Sequence, residues 1–313
     1  MQRRVLYVIL GALSGSLLFG SFAELGMAAV VLNLMTPLPA AYIAMRFGAA
    51  VGWMTVALTA LVLVSAGSAG GALLYLIQFG LPAGVLVTLM TRGWGWDRAA
   101  LVAVGTMLAA GLAGLVGQAA VQATDPLSLV GVVIDQEINQ ASEVMRQVFS
   151  TANLPESEQT EISEALLQMS SFMRDVYAGL AVVVGMYMLL AQVLLLSLLG
   201  RSHFTLPGKP FAQWKAPEPL IWLMILGGFG VFLADGLWQV AAMNVLVIIV
   251  PIYFLQGLAI IDSFFRRKAF TPLFRTIGYL LVLLVNPLPL MVACLGVFDL
   301  WIDFRKPRIP KSS

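Results

Sequence analysis

Charge is scarce in this chain. Only 11% of its 313 residues are Asp, Glu, Lys or Arg, whereas 60% are hydrophobic; an average soluble domain has about 25% charged residues. So few charged side chains cannot cover the surface of a water-soluble protein of this length. The composition excludes an ordinary soluble domain and, with a mean hydropathy of +0.91, predicts that lipid surrounds most of the chain.

Cysteine and histidine occur once each, as Cys294 and His203. One cysteine excludes an intrachain disulfide and a cysteine-ligated zinc or iron–sulfur centre, whose ligands come in twos to fours. One histidine argues against a histidine metal site or a His-based catalytic triad. We therefore expect a protein that is not an enzyme, has no catalytic, metal or cofactor residues, and has the lipid bilayer rather than nucleic acid as its surroundings.

The charges that are present are segregated. The stretch 124–175 holds nine of the sixteen acidic residues but only two of the eighteen basic ones, Arg146 and Arg174. The other basic residues fall in short gaps between apolar runs, and Lys and Arg in such loops mark the cytoplasmic side. The pattern predicts a multi-pass protein of the bacterial plasma (inner) membrane, with both termini cytoplasmic and 124–175 extracytoplasmic.

This topology gives a fold class. We expect an all-α, polytopic transmembrane helical bundle with an extracytoplasmic helical hairpin. The predicted long spans are 5–22, 27–45, 47–65, 72–90, 99–121, 177–199, 220–234 and 240–264. The predicted domains are a five-span N-terminal bundle (1–123), the acidic hairpin (124–175) and a C-terminal bundle with a basic cytoplasmic tail (176–313).

The last apolar run is too short for two ordinary spans. Only 29 residues separate Arg275 from Arg305, and two full spans need about 40. One span would leave the basic tail outside, so we predict a short or re-entrant hairpin broken at Asn286-Pro287-Leu288-Pro289. The earlier sequence Thr36-Pro37-Leu38-Pro39 is similar, and broken helices in matching positions are typical of transporters.

Helical periodicity is clear in the acidic stretch. Apolar residues recur at steps of four and three: Ile134, Ile138, Ala141, Met145 and Val148, then Ile162, Leu166, Met169, Met173 and Val176. This spacing predicts two packed antiparallel helices, the second continuing into the span that follows. The acidic residues of this helical hairpin form either a solvated face or a docking surface or lid. Exposed methionines would favour docking.

Seven uncharged amides lie within the apolar runs: Asn33, Gln78, Gln118, Gln192, Asn244, Gln256 and Asn286. Polar groups at membrane depth are costly and often functional. The predicted substrate-binding residues are Asn33, Gln78, Asn244, Gln256 and Asn286. Each has a simpler alternative, an interhelical hydrogen bond of about 0.6 kcal/mol. Convergence of several on one cavity would favour binding, and dispersal would favour a scaffold.

Carboxylates near the predicted inner face also have two interpretations. Asp299 and Asp303 are four residues apart, so they share a helix face and could act as an acid–base pair or bind a cation. The stronger alternative is pairing with neighbouring cations, and Asp262 can likewise reach Arg266 at i+4.

Three C-terminal motifs carry a resemblance to a known family. They are Pro217-Glu-Pro-Leu-Ile-Trp222, Phe254-Leu-Gln-Gly-Leu-Ala-Ile-Ile-Asp262 and Gly296-Val-Phe-Asp-Leu-Trp-Ile-Asp-Phe-Arg-Lys306. With them the chain resembles the YybS-like bacterial membrane proteins, which look distantly similar to substrate-binding subunits of energy-coupling-factor transporters. The resemblance implies a solute-binding bundle and a partner contact on the first helix, at Gly11, Ala12, Gly15 and Ser16. Those subunits usually have six spans and no long outer hairpin.

Two functions remain open on these grounds. The first is an integral membrane protein that binds or transports a small solute, alone or with an energising partner. The second is a non-transporting scaffold whose outer hairpin recruits an envelope or division protein.

Overall fold

A computed structural model describes residues 2–25, 30–150 and 156–305. Within these ranges the chain is helical and contains no strand, as the sequence predicts. Its α-helices are α1 (Gln2–Leu25), α2 (Val30–Leu34), α3 (Leu38–Phe47), α4 (Ala49–Ser65), α5 (Ala69–Tyr75), α6 (Leu81–Thr91), α7 (Trp96–Gln122), α8 (Pro126–Ser150), α9 (Glu156–Leu199), α10 (Leu220–Leu233), α11 (Leu237–Arg267), α12 (Pro272–Leu284) and α13 (Leu288–Ile302).

Proline and glycine mark many of the helix boundaries. Proline lies in the first two positions of α3, α12 and α13, where its missing N–H has no intrahelical partner to lose. Gly48 separates α3 from α4 at φ 105°, which a residue with a Cβ rarely adopts. Two apolar helices can therefore follow each other without merging.

The chain forms two compact units. The first unit comprises Met1–Val133 and Val184–Gly208, and the second comprises Ile134–Val183 and Lys209–Ser313. Helices α8 and α9 contribute to both. The predicted three-part division at 123 and 175 rests on membrane sidedness and stays a prediction.

In the first unit, α1 packs against α3 and α4. Its core contains Val56, Leu63, Tyr75 and Phe79, with Phe19 against both aromatic rings. In the second unit, α11 lies between α10 and α13. At the α11–α13 crossing, a Cβ on Gly257 would overlap the Val292 carbonyl and one on Gly296 would overlap the Tyr253 carbonyl. Only glycine permits this backbone contact.

Five stretches are long and apolar enough to span a membrane: Gln2–Ser21, Ala69–Thr91, Trp96–Gln122, Leu167–Leu199 and Leu237–Arg267. Helices α4 and α10 are apolar but have only 17 and 14 residues, against about 20 for a full span. The structure confirms several candidate spans but not the predicted total of about eight long ones.

The predicted break in the last apolar run is confirmed. α12 and α13 are separated at Val285–Pro287 and bent by 104°, so together they form either one broken span or a re-entrant pair. The basic tail beyond Arg305, with Lys306, Arg308 and Lys311, lies outside the described residues.

The acidic stretch forms helices, as its periodicity predicts. α9 runs unbroken for 44 residues from the acidic stretch into an apolar span, which confirms the predicted continuation. Asp135 on α8 pairs with Arg174 on α9 at 2.8 Å. Met169 and Met173 are exposed, however, whereas Val176 is buried. The extracytoplasmic position of these helices stays a prediction.

Candidate functional site

The candidate site lies in the first unit and begins with a helix break. The run predicted as one span at 27–45 is divided by a turn between α2 and α3, and its residues 27–29 lie outside the described chain. Thr36 in this turn is 1% exposed, and its hydroxyl donates to the Asn33 side-chain oxygen over 3.1 Å. Pro37 follows without a backbone N–H. The Asn33 amide oxygen therefore accepts a hydrogen bond from within the helix break itself.

A π-helical turn at Leu76–Gly80, between α5 and α6, supplies the second element. The Leu81 N–H bonds to the Leu76 carbonyl, five residues back. Pro82 cannot donate the hydrogen bond that an α-helix would direct to the Gln78 carbonyl, which accounts for the irregularity. Single π turns within longer helices occur frequently at functional sites. Gln78 lies in this turn with an exposed side chain.

The third element is Gln192 on α9. Its side chain is 1% exposed, and neither its amide nitrogen nor its amide oxygen has a hydrogen-bond partner among the described residues. Burial of a polar group without a partner costs roughly 1–3 kcal/mol in proteins. Water or a bound polar molecule can supply the missing hydrogen bonds.

A cavity of about 10 Å³ connects the three elements, enough for about one water molecule. Its lining side chains are uncharged: Pro37, Gln78, Phe79, Met107, Gly185, Met188, Leu189 and Gln192. Gly185 leaves room for Met107, because a Cβ there would overlap the end of the Met107 side chain. The arrangement offers amide donors and acceptors to a neutral polar group, with flexible methionines beside them.

The sequence-based binding set includes Gln78 but not Gln192. A signal for Gln192 was present, because Gly185, Met188 and Gln192 repeat at i, i+3 and i+7 on one face of α9. A small residue on the same face as a buried amide indicates a close helix contact. The cavity itself depends on two helix irregularities that periodicity does not predict.

Gln256 in the second unit is also fully buried, but it is paired. Its side-chain oxygen accepts the Ala216 N–H over 2.9 Å, and its nitrogen donates to Asp299 over 3.2 Å. The Asp299 carboxylate also accepts the Phe304 N–H over 3.0 Å. Residues from the second and third C-terminal motifs, together with Ala216 just before the first motif, thus meet in one hydrogen-bonded network.

Arg305 completes this network. Its guanidinium lies 3.2 Å from the Asp299 carboxylate and donates to the carbonyls of Ala212 and Trp214 over 3.2 and 2.7 Å. Burial lowers the pKa of Arg305, and the neighbouring carboxylates Asp299 and Asp303 act in the opposite direction. Asp303 pairs with Lys215 at 3.3 Å. Asp299 therefore pairs with its neighbouring cation Arg305, as expected, whereas Asp303 pairs with the distant Lys215.

Asp262 is held in a similar way. It accepts the predicted i+4 hydrogen bond from Arg266 over 2.9 Å and a further one from the Tyr279 hydroxyl over 3.0 Å. Among the residues that the structure describes, no group of three or more His, Cys, Asp or Glu side chains could hold a metal ion. The second unit therefore uses its buried charges to connect helices.

The remaining predicted binding residues do not join a common cavity. Asn244 accepts the Gly179 N–H and donates to the carbonyls of Asp175 and Val240, all within 2.8 Å, so it connects α9 to α11. Asn286 is exposed at the break between α12 and α13. Within the second unit, Asn244, Gln256 and Asn286 therefore lie in separate surroundings, and their binding role stays a prediction.

The proposed partner-contact residues on α1 pack inside the first unit. Gly11, Ala12 and Gly15 are buried and Ser16 is half-buried. A Cβ on Gly11 would overlap Ile43, and one on Gly15 would lie 3.4 Å from Thr59. The Ser16 hydroxyl donates to the Ala12 carbonyl over 2.8 Å. These small residues allow α1 to approach α3 and α4; a partner contact through them stays a prediction.

Comparison with known proteins gives one match. Residues 15–300 match the model of a family described as a predicted membrane protein (DUF2232). No curated protein and no solved structure matches the chain. The resemblance to YybS-like proteins and to energy-coupling-factor subunits stays a prediction. Since the match extends over nearly the whole chain, together with its long apolar helices, the protein belongs to this family of membrane proteins.

Proposed function

We propose that the protein binds a small, neutral, polar solute in the first unit, between the α2–α3 break, the π turn and Gln192. The observation that carries the proposal is the buried Gln192 amide, which has both hydrogen-bonding atoms unpaired among the described residues. A solute with one donor and one acceptor would satisfy it. Transport of that solute, with or without an energising partner, is the extension of this proposal.

Because the lining residues of the cavity are uncharged, we expect it to bind neutral rather than charged solutes. A charged solute would lose its hydration without gaining an ion pair there, at a cost of several kcal/mol. A neutral amide or alcohol loses much less. The cavity has a volume of only about 10 Å³, so Met107 and Met188 must change rotamer to admit a solute larger than water. Methionine has three rotatable bonds and adapts readily.

Thermal unfolding of the purified protein in nanodiscs tests the proposal. We expect members of a panel of neutral amides, alcohols and heterocycles to raise the melting temperature, and acetate and methylammonium to leave it unchanged. Gln192→Leu should abolish the increase. Gln118→Leu is the matched control, because Gln118 is exposed on α7 of the same unit and should leave the increase intact.

Two results would contradict this function. One is an equal increase in the wild type and in Gln192→Leu, which would place binding elsewhere. The other is no increase with any neutral compound, although the protein unfolds cooperatively.

The scaffold function has its own supporting observation. Leu167, Met169, Phe172 and Met173 are exposed on the part of α9 that belongs to the acidic stretch 124–175, and exposed methionine and phenylalanine surfaces often bind other proteins. Deletion of 127–173 should then abolish crosslinking to a partner while the bundle still inserts. Unchanged crosslinking after the deletion would reject the scaffold.

A further inference from the structure

Several helix termini of the first unit meet at a strongly basic end. The start of α1 contacts the end of α3 through Tyr7 and Arg46, and the start of α7 contacts the segment after α9 through the Trp96–Pro207 hydrogen bond. The terminal segments 2–8, 42–48, 90–99 and 199–208 contain six arginines and one acidic residue, Asp97. The arginines are Arg3, Arg4, Arg46, Arg92, Arg98 and Arg201.

Arg46 differs from the other five arginines in its surroundings. Its guanidinium carbon lies 5.2 Å from the Tyr7 ring centroid and 5.3 Å from that of Phe47. Its Nη1 is 3.5 Å from the hydroxyl oxygens of Tyr7 and Tyr42, which is long for a hydrogen bond. No carboxylate of the described chain forms an ion pair with it. The aromatic rings hold the cation in place without neutralising it.

Further polar groups stand beside this guanidinium. The Tyr42 hydroxyl is 3.3 Å from His203 Nδ1, and the Ser202 hydroxyl is 2.8 Å from the same nitrogen. The ring centroids of Phe204 and Tyr42 are 5.8 Å apart, so this contact holds the segment with Ser202 and His203 against α3. Ser202 and His203 are exposed, whereas Tyr42 and Arg46 are half-buried. The result is an accessible cluster of one cation, three hydroxyls and an imidazole, which we call the Arg46 cluster.

A phosphate group matches these donors. Guanidinium binds phosphate through two parallel N–H···O bonds, and hydroxyl groups can donate to the remaining oxygens. A lipid phosphate also needs an apolar path for its acyl chains. Next to Tyr7, α1 presents the exposed stripe Leu6, Leu10, Leu13 and Leu17, where Leu17 is 75% exposed. This stripe distinguishes a lipid from a free phosphate ion.

We propose that the Arg46 cluster binds the phosphate of an anionic phospholipid whose acyl chains lie along the Leu6–Leu17 stripe of α1. The excess of arginine at this end favours an anionic over a zwitterionic headgroup, because each basic residue near a membrane surface attracts anionic lipid. The site is separate from the Gln192 cavity and does not depend on the proposed solute.

Native mass spectrometry of the full-length protein with added phosphatidylglycerol measures this binding. We expect Arg46→Gln to weaken phosphatidylglycerol binding about tenfold and Tyr42→Phe to weaken it about threefold, from the loss of charge-assisted contacts. Arg92→Gln is the matched control, since Arg92 is exposed at the same end; it should change binding by less than about twofold. Arg46→Lys keeps the charge and should fall between wild type and Arg46→Gln.

Comparison with phosphatidylcholine and with inorganic phosphate shows whether the bound phosphate belongs to an anionic lipid. Phosphatidylcholine should bind more weakly than phosphatidylglycerol, and inorganic phosphate should not displace bound phosphatidylglycerol. Leu10→Gln should weaken lipid binding. Equal losses in Arg46→Gln and Arg92→Gln would mean diffuse charge attraction and would overturn the site. Full displacement by inorganic phosphate would overturn the lipid assignment. If Arg46→Gln does not fold, Tyr42→Phe and Arg46→Lys give the same comparison.

Discussion

Two glutamines, one in each unit, are buried to the same extent and have opposite hydrogen-bonding states. Gln256 is 0% exposed and bonds to Ala216 and Asp299. Gln192 is 1% exposed and has no partner among the described residues. Both occupy apolar helices, and the sequence marks both as costly. Burial alone therefore does not distinguish the two glutamines, whereas hydrogen-bond pairing does.

The difference follows from the neighbouring backbone. Near Gln256, the glycines at 257 and 296 bring α13 into contact with α11, so Asp299 reaches the amide. Near Gln192, the glycine at 185 admits only the Met107 side chain, which offers a thioether and no strong hydrogen-bonding group. Close backbone packing thus gives the Gln256 amide its hydrogen-bond partners. Gln192 has no such backbone contact at Gly185, and its amide is unpaired among the described residues.

The largest expected effect on stability is at the buried ion pair between Asp299 and Arg305, next to Gln256. Asp299→Asn removes the carboxylate from a guanidinium that is 10% exposed, and loss of one partner of a buried pair costs about 3–5 kcal/mol. Denaturant unfolding in mixed micelles, followed by tryptophan fluorescence, measures the change in the free energy of unfolding. Asp303→Asn is the control, because it weakens a partly exposed pair with Lys215, and pairs near the surface are worth about 0–1 kcal/mol. Similar losses in the two variants would contradict the distinction.

A smaller loss is expected at Gln256 itself. Gln256→Leu keeps a similar volume but leaves the Ala216 N–H and one Asp299 oxygen without their partner. Each unsatisfied buried group costs about 1–3 kcal/mol, and partial compensation by Arg305 at Asp299 leads us to expect about 2 kcal/mol in the same unfolding assay. A change below about 0.5 kcal/mol would show that the network does not contribute to stability.

Composition and periodicity predict the helical architecture well. The low charge, the apolar runs and the i, i+4 spacing identified the helices, the break at Asn286-Pro287 and the Asp262–Arg266 pair, because each depends on local sequence. The similarity of Thr36-Pro37-Leu38-Pro39 to Asn286-Pro287-Leu288-Pro289 also has a structural counterpart. In both places a helix ends shortly before the motif and the next begins at its leucine, Leu38 or Leu288.

The hydrogen-bond partners of the intramembrane amides could not be predicted from local sequence. Asn244 and Gln256 bond to residues 65 and 40 positions away, and such distant pairings depend on how helices cross. The span count was also beyond the sequence, because α4 and α10 are shorter than the apolar runs that contain them. A helix ends where its backbone hydrogen bonds stop, which apolar composition alone does not determine.

The smallest expected effect on stability is at Gln192, and it decides the comparison. Gln192→Leu removes an amide that has no partner in the described chain, so without solute we expect the free energy of unfolding to stay unchanged or to rise by up to about 1 kcal/mol. The same substitution at Gln256 should cost about 2 kcal/mol in the same assay. If Gln192→Leu destabilises the protein as much as Gln256→Leu does, then the Gln192 amide has structural hydrogen bonds, for example to a permanently bound water, and its two atoms are not free for a solute. Unchanged stability together with loss of the solute-dependent rise in melting temperature would separate a binding amide from a structural one.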